Sequence, residues 1–215
     1  MNTDPATGKN RIFLRQLNRE VQEKAQQIAD SFAILPAAIT WLRFLGAGMV
    51  IMMVYGSLSL DFLFWVILVC GISDYLDGWL ARRLKKTSYP GKVMDFTADK
   101  LFISVSLIAL SFSLGAIDTV VASILVGYHL LLLFSLSAIS WSIHVPVVTI
   151  TTGERLAVLF SYLLLMTAAG RLAFPHKQIF QSLHTPLTII ALLSAFTGLL
   201  SYLRLLRRLL SRFLE

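Results

Sequence analysis

Six long apolar runs follow one another along the chain, at roughly 33–55, 59–81, 93–115, 117–141, 154–174 and 184–204. Each reaches the roughly 20 residues that a helix needs to cross a bilayer, so the pattern predicts six transmembrane helices. Between Lys100 and Glu154 the only charged residue is Asp118, and the third and fourth runs share an almost uncharged block that breaks at Gly115. The length of that block requires two spans. Residues 178–203 carry no charge. The segment before the first run differs. Phe13, Leu17, Val21, Ala25 and Ile28 recur at spacings of four and three, while Arg11, Arg15, Arg19 and Lys24 fall elsewhere. This spacing predicts an amphipathic helix lying on the membrane surface, with a solvated tail as the alternative. A cleavable leader is not expected, because Met1–Asp30 lacks an apolar core and carries Asp4, Glu20, Glu23 and Asp30.

Composition agrees with the pattern. Of 215 residues, 56% are hydrophobic and 14% charged, with a mean hydropathy of +0.73. Ordinary soluble domains are about 25% charged, so a cytosolic enzyme and a disordered chain are both excluded. The single cysteine, Cys70, excludes an intrachain disulfide scaffold and a cysteine-based zinc site. A net charge of +7 raises the question of nucleic acid, but the basic residues are distributed as for a membrane with an anionic inner leaflet. Placing the amino terminus inside puts Lys9, Arg11, Arg15, Arg19 and Lys24 in the cytoplasm, together with Arg82, Arg83, Lys85, Lys86 and Lys92, then Arg155, Arg204, Arg207, Arg208 and Arg212. Outside remain Arg171 and Lys177. The expected architecture is therefore an all-α integral membrane protein with both termini cytoplasmic. Residues 1–32 form a tail and interfacial helix, 33–204 the six-span domain, and 205–215 a basic tail.

The chemistry concentrates in residues 74–99. Ionisable residues within a span are costly and mark a functional site by default. Asp74 and Asp77 lie at i and i+3 near the end of the second run, and Asp95 and Asp99 at i and i+4 near the start of the third. Each pair shares one side of its helix. With interfaces near Arg82 and Lys92, a rise of about 1.5 Å per residue puts all four carboxylates within about 4–12 Å of the cytoplasmic surface. Four converging carboxylates repel one another unless a cation sits between them, and hard divalent ions with oxygen ligands meet that need. Two such ions can clamp a diphosphate for phosphoryl transfer. Gly78 permits close approach to the helix, Arg82 is placed to hold a phosphate oxygen, and Tyr89-Pro90-Gly91 predicts the turn between the spans. Two other readings use the same acids. They can pair with the local basic run, although those cations can reach water by snorkelling, or they can line the pathway of an ion-coupled transporter.

The full pattern, Asp74-x2-Asp77-Gly78-x2-Ala81-Arg82-x8-Gly91-x3-Asp95-x3-Asp99, resembles the CDP-alcohol phosphotransferase motif at every fixed position. The resemblance implies transfer of a phosphatidyl group from CDP-diacylglycerol to an alcohol with release of CMP, in phospholipid biosynthesis. It implies that Asp74, Asp77, Asp95 and Asp99 hold a pair of Mg²⁺ or Mn²⁺ ions and that Asp99 is the catalytic base. Gly78, Ala81, Arg82 and Gly91 then line the cytidine diphosphate pocket, joined by Thr40 and Arg43, which resemble the family's first-span Thr-x-x-Arg. The ending Asp95-x-x-Ala98-Asp99-Lys100 is similar to the glycerophosphate- and cardiolipin-forming branch, that of bacterial phosphatidylglycerophosphate synthase-like enzymes, with glycerol 3-phosphate the preferred acceptor in a bacterial cytoplasmic membrane. Phosphatidylglycerol, inositol phosphate and serine are the other acceptors considered. Lys92, Lys100 and Arg155 are the candidate acceptor-binding cations, and His129 is read as a packed residue hydrogen-bonded to a neighbour. The resemblance also implies a homodimer.

Overall fold

Every regular element among the described residues is helical. The computed structural model describes residues 40–56, 59–84, 89–143 and 151–213, with 74–84, 89–92, 138–143 and 208–213 described by backbone alone. Helix α1 spans Thr40–Val54. A 3₁₀ turn at Leu60–Phe62 leads into α2 (Leu63–Leu84), followed by α3 (Tyr89–Ile108), α4 (Thr119–Ile143), α5 (Thr152–Ala173) and α6 (Gln178–Phe213). The surface helix expected over 1–32 lies outside the described residues. Among those residues, Thr119–Ser137, Thr152–Ala173 and Gln178–Arg207 are long and apolar enough to cross a membrane. The stretches Thr40–Val54 and Leu60–Ser73 are apolar but shorter. In α2 the apolar stretch ends where Asp74, Asp77 and Arg82 begin, and α3 carries Lys92, Asp95, Asp99 and Lys100 between its first turn and its middle.

The helix ends follow local chemistry. The turn expected at Tyr89-Pro90-Gly91 is instead the first turn of α3. Proline is suited to that position, since its missing N–H would have no intrahelical acceptor there and its fixed φ is already helical. At its other end α3 widens into a π-helical segment, Ala109–Ser113. The chain then reverses at Gly115, whose φ of 61° lies in the left-handed region. The amides of Gly115 and Ala116 close the helix on the carbonyls of Ser111 and Leu110, at 3.0 and 2.8 Å. Asp118, the lone charge of the apolar block, caps α4 by accepting from the amides of Val120 and Val121 at 2.9 and 3.2 Å. Thr151 caps α5 in the same way, accepting from the Glu154 amide at 3.2 Å.

Helix α5 lies at the centre, packed against α2, α3 and α6, while α4 packs against α3 and α6. Glycines set the closest approaches. A β-carbon on Gly153 would lie 3.1 Å from the α-carbon of Gly198, so α5 and α6 meet almost backbone to backbone. On Gly46 it would lie 2.5 Å from Cys70 Sγ and 3.2 Å from Phe102, which brings α1 down onto α2 and α3. The outward faces are apolar: Leu45, Phe62, Phe112, Val120, Phe134, Leu193 and Phe196 are all exposed. Inside, the helices enclose Arg43, Asp99, Lys100, His129, Glu154 and Ser161, all buried. An apolar exterior around a polar interior is the distribution expected where hydrocarbon is the solvent.

Candidate active site

The site is built on one face of α3. Asp95 and Asp99, one turn apart, are held by partners on different helices. The Arg43 guanidinium of α1 donates through Nη1 to Asp95 Oδ1 as an ion pair; Arg43 is fully buried, whereas the Asp95 side chain is 41% exposed. Gly46 makes this geometry possible, because it lies one turn from Arg43 on the face of α1 that approaches α3. The Tyr162 hydroxyl of α5 donates to Asp99 Oδ1 at 2.8 Å, in a buried contact. Each aspartate thus gives Oδ1 to the protein, and its Oδ2 makes no hydrogen bond or ion pair to a described residue.

The next residue, Lys100, points elsewhere. Its ammonium lies 3.0 Å from Glu154 Oε1, with both side chains almost wholly buried, and 5.1 Å from the centre of the Phe96 ring. Two turns of α5 beyond Glu154, His129 Nε2 and Ser161 Oγ are hydrogen-bonded at 3.0 Å. The His129 Nδ1 is buried without a partner among the described residues. Three residues of α5, Glu154, Ser161 and Tyr162, therefore reach three residues of α3 and α4. The buried described charges comprise two cations, Arg43 and Lys100, and two acids, Asp99 and Glu154, and half-exposed Asp95 leaves an excess of one negative charge.

The structure brings Arg43, Asp95 and Asp99 together, and Thr40 is buried on the same helix as Arg43. Arg43, expected at the donor diphosphate, is engaged by the Asp95 carboxylate. Asp74, Asp77, Gly78, Ala81 and Arg82 lie on the second half of α2, and Gly91 and Lys92 on the first turn of α3; their side chains are outside the described residues. Among the acceptor candidates Lys100 is ion-paired with Glu154, and Arg155 is exposed because the helix turns it about 100° away from its inward-facing neighbour. His129 is packed and hydrogen-bonded, as expected of it. Glu154, Ser161 and Tyr162 were not expected at the site. Their signal was a polar face on an apolar span, with Ser161 and Tyr162 seven and eight residues beyond Glu154.

The carboxylate oxygens fit a hard divalent cation: Asp95 and Asp99 stand one turn apart, each with one oxygen unclaimed by a described residue. The described residues contain no group of three or more metal-ligating side chains. The other two aspartates of the motif are on α2, where side chains are not described. Residues 33–206, which include all four aspartates and Tyr162, match the CDP-alcohol phosphatidyltransferase family. The chain belongs to that family. A cardiolipin synthase (CMP-forming) of Streptomyces coelicolor strain A3(2) is similar, with 33% identity over 97 residues, 43% of this chain and 45% of that protein. The chain thus spans less than half the length of this curated relative. Within the CDP-alcohol phosphatidyltransferase family, Asp95 and Asp99 of the motif are the two site acids whose partners the structure describes.

Proposed function

We propose that this protein transfers a phosphatidyl group from CDP-diacylglycerol to an alcohol, releasing CMP, at a site open to the cytoplasm within a six-span bundle. The observation that carries the reading is the pair of aspartates on α3, each fixed through one oxygen, in a chain of the CDP-alcohol phosphatidyltransferase family. Asp74, Asp77 and Asp95 would hold, beside Asp99, a Mg²⁺ or Mn²⁺ pair, which when bound supplies neutralisation of the donor diphosphate. Arg82 and the glycines Gly78 and Gly91 receive the cytidine diphosphate. Arg43 fixes Asp95 from below. Asp99, held by Tyr162, accepts the proton of the acceptor hydroxyl. The acceptor oxygen then bonds to the lipid-linked phosphorus, the bond from that phosphorus to the CMP oxygen breaks, and CMP leaves with the electron pair.

Glycerol 3-phosphate is the first acceptor, with exposed Arg155 at the start of α5 available to its phosphate. Phosphatidylglycerol is a second reading, supported by the similarity to a cardiolipin synthase. Engagement of Lys100 by Glu154 also favours it, because fewer cations are left for a phosphomonoester. The test is incubation of the purified protein in lipid vesicles with CDP-diacylglycerol and one acceptor at a time, identifying the lipid product by mass spectrometry. CMP release with one acceptor, abolished by a chelator and restored by Mg²⁺ or Mn²⁺, is the expected result. Turnover in excess chelator would remove the metal from the reading. Ion flux across the vesicle without CMP release would replace the enzyme with a transporter.

A further inference from the structure

Tyr162 touches both helices that carry the aspartate pairs. Its hydroxyl donates to Asp99 Oδ1 at 2.8 Å. Its ring stacks on Phe102, with centroids 5.8 Å apart and planes at 20°, and Phe102 lies three residues beyond Asp99 on the same face of α3. The other edge of the ring rests on α2 at Gly71, where an added β-carbon would lie 3.3 Å from Tyr162 Cδ1. Gly71 precedes Asp74 by three residues, one turn of α2. The ring is therefore a spacer between the two halves of the motif, one turn deeper than both, and its hydroxyl fixes one oxygen of the base. It comes from α5, outside the 74–99 segment.

We infer that Tyr162 is the positioning residue of the site: it holds Asp99 with Oδ2 turned to the acceptor, and its ring keeps α2 and α3 at the separation that the four aspartates need. The inference rests on the proposed phosphatidyl transfer. A carboxylate with neither oxygen fixed can rotate about its last torsion, and its proton-accepting lone pair then meets the acceptor hydroxyl only part of the time. A phenol donor buried in the bundle removes that freedom without adding a charge. Because ring and hydroxyl do different things, two substitutions separate them. Tyr162→Phe keeps the spacer and removes the donor. Tyr162→Leu removes both.

For Tyr162→Phe the expected result is a kcat lower by about 10- to 100-fold with the KM for CDP-diacylglycerol unchanged. Tyr162→Leu should lower kcat at least as far and also raise the donor KM, since α2 and α3 lose their spacer. The second measurement does not use activity. The thermal midpoints of wild type, Tyr162→Phe, Asp99→Ala and the double variant, taken in the same detergent, form a cycle. The two substitutions should be non-additive, because either one removes the same hydrogen bond. Wild-type kcat in Tyr162→Phe, or additive shifts in the cycle, would overturn the inference while the proposed function stood. So would a parallel loss of kcat, donor affinity and thermal midpoint in Tyr162→Phe, which is the signature of a merely structural side chain. A wild-type protein that released no CMP with any acceptor would overturn the proposed function, and this inference with it.

Discussion

The two halves of α5 do different work with the same helix. Its first half sends Glu154 to Lys100, Ser161 to His129 and Tyr162 to Asp99. Its second half buries Leu164, Leu165, Ala168, Ala169 and Gly170. At its end Phe174 stacks on Phe180 with centroids 5.9 Å apart, and both meet Phe64 edge-on. A membrane helix gains little from being merely apolar, because lipid is as apolar as its neighbours. What fixes it in place is close packing and polar pairing. The second half relies chiefly on the first of these, through Gly170 against the Phe180 ring, with Arg171 donating to the Ala116 carbonyl at 3.4 Å near its end. The first half adds pairing to the close approach at Gly153, and one of its pairs, Tyr162 with Asp99, sits where the proposed chemistry needs a group held still. Specificity of position, rather than hydrophobicity, separates the site from the rest of the bundle.

Substitutions in the two halves should therefore fail in different ways. The largest effect on stability is expected at Glu154→Leu, which strands the buried ammonium of Lys100 and should cost about 3 kcal/mol. Adding Lys100→Met should recover most of that loss, because a well-packed apolar pair can replace a buried ion pair. Thermal unfolding in detergent measures both. If the double variant is stable but its acceptor KM rises, Lys100 also reaches the acceptor; if the single variant unfolds like wild type, the pair is not a structural element. Next in size is Gly170→Leu. A β-carbon there would lie 2.5 Å from Phe180 Cδ1, and the ring stack leaves Phe180 little room to move, so overpacking should cost about 2 kcal/mol. The protein that remains folded should keep its kcat. A variant with normal stability and depressed kcat would erase the distinction between the halves. The smallest effect is expected at Ser161→Ala, which leaves the His129 ring with neither nitrogen bonded to a described residue. About 1 kcal/mol is expected, with kcat nearly unchanged. A large loss of kcat there would bring His129 into the reaction.

The sequence made some of this legible for definite reasons. Helix periodicity placed Asp95 and Asp99 on one face, and the same face is where the structure finds their partners. Gly115 marked the break between the third and fourth runs, and its positive φ shows why a glycine stands there. Tyr89-Pro90-Gly91 misled because proline and glycine signal turns, whereas proline is equally at home in a helix's first turn. Arg155 and Lys100 were singled out as cations, but charge alone does not say which way a side chain points. Adjacent residues on a helix face directions about 100° apart, so Glu154 goes in while Arg155 stays out. Tyr162 was not legible from the motif at all. It lies 63 residues from Asp99, and only the packing of α5 between α2 and α3 brings the two together.

In the proposed reaction Asp99 acts as a base within a donor site that the other aspartates hold together. The measurement that reaches it most directly sets CDP-diacylglycerol binding beside CMP release for wild type and Asp99→Asn, across a range of Mg²⁺ concentrations. Asparagine keeps the size and a hydrogen-bond acceptor for Tyr162 but cannot take up the acceptor proton. Donor binding should persist while CMP release falls by about 10²- to 10⁴-fold at every metal concentration. Recovery of wild-type turnover by Asp99→Asn at high Mg²⁺ would contradict the account, leaving Asp99 as a metal ligand only and the base on another residue.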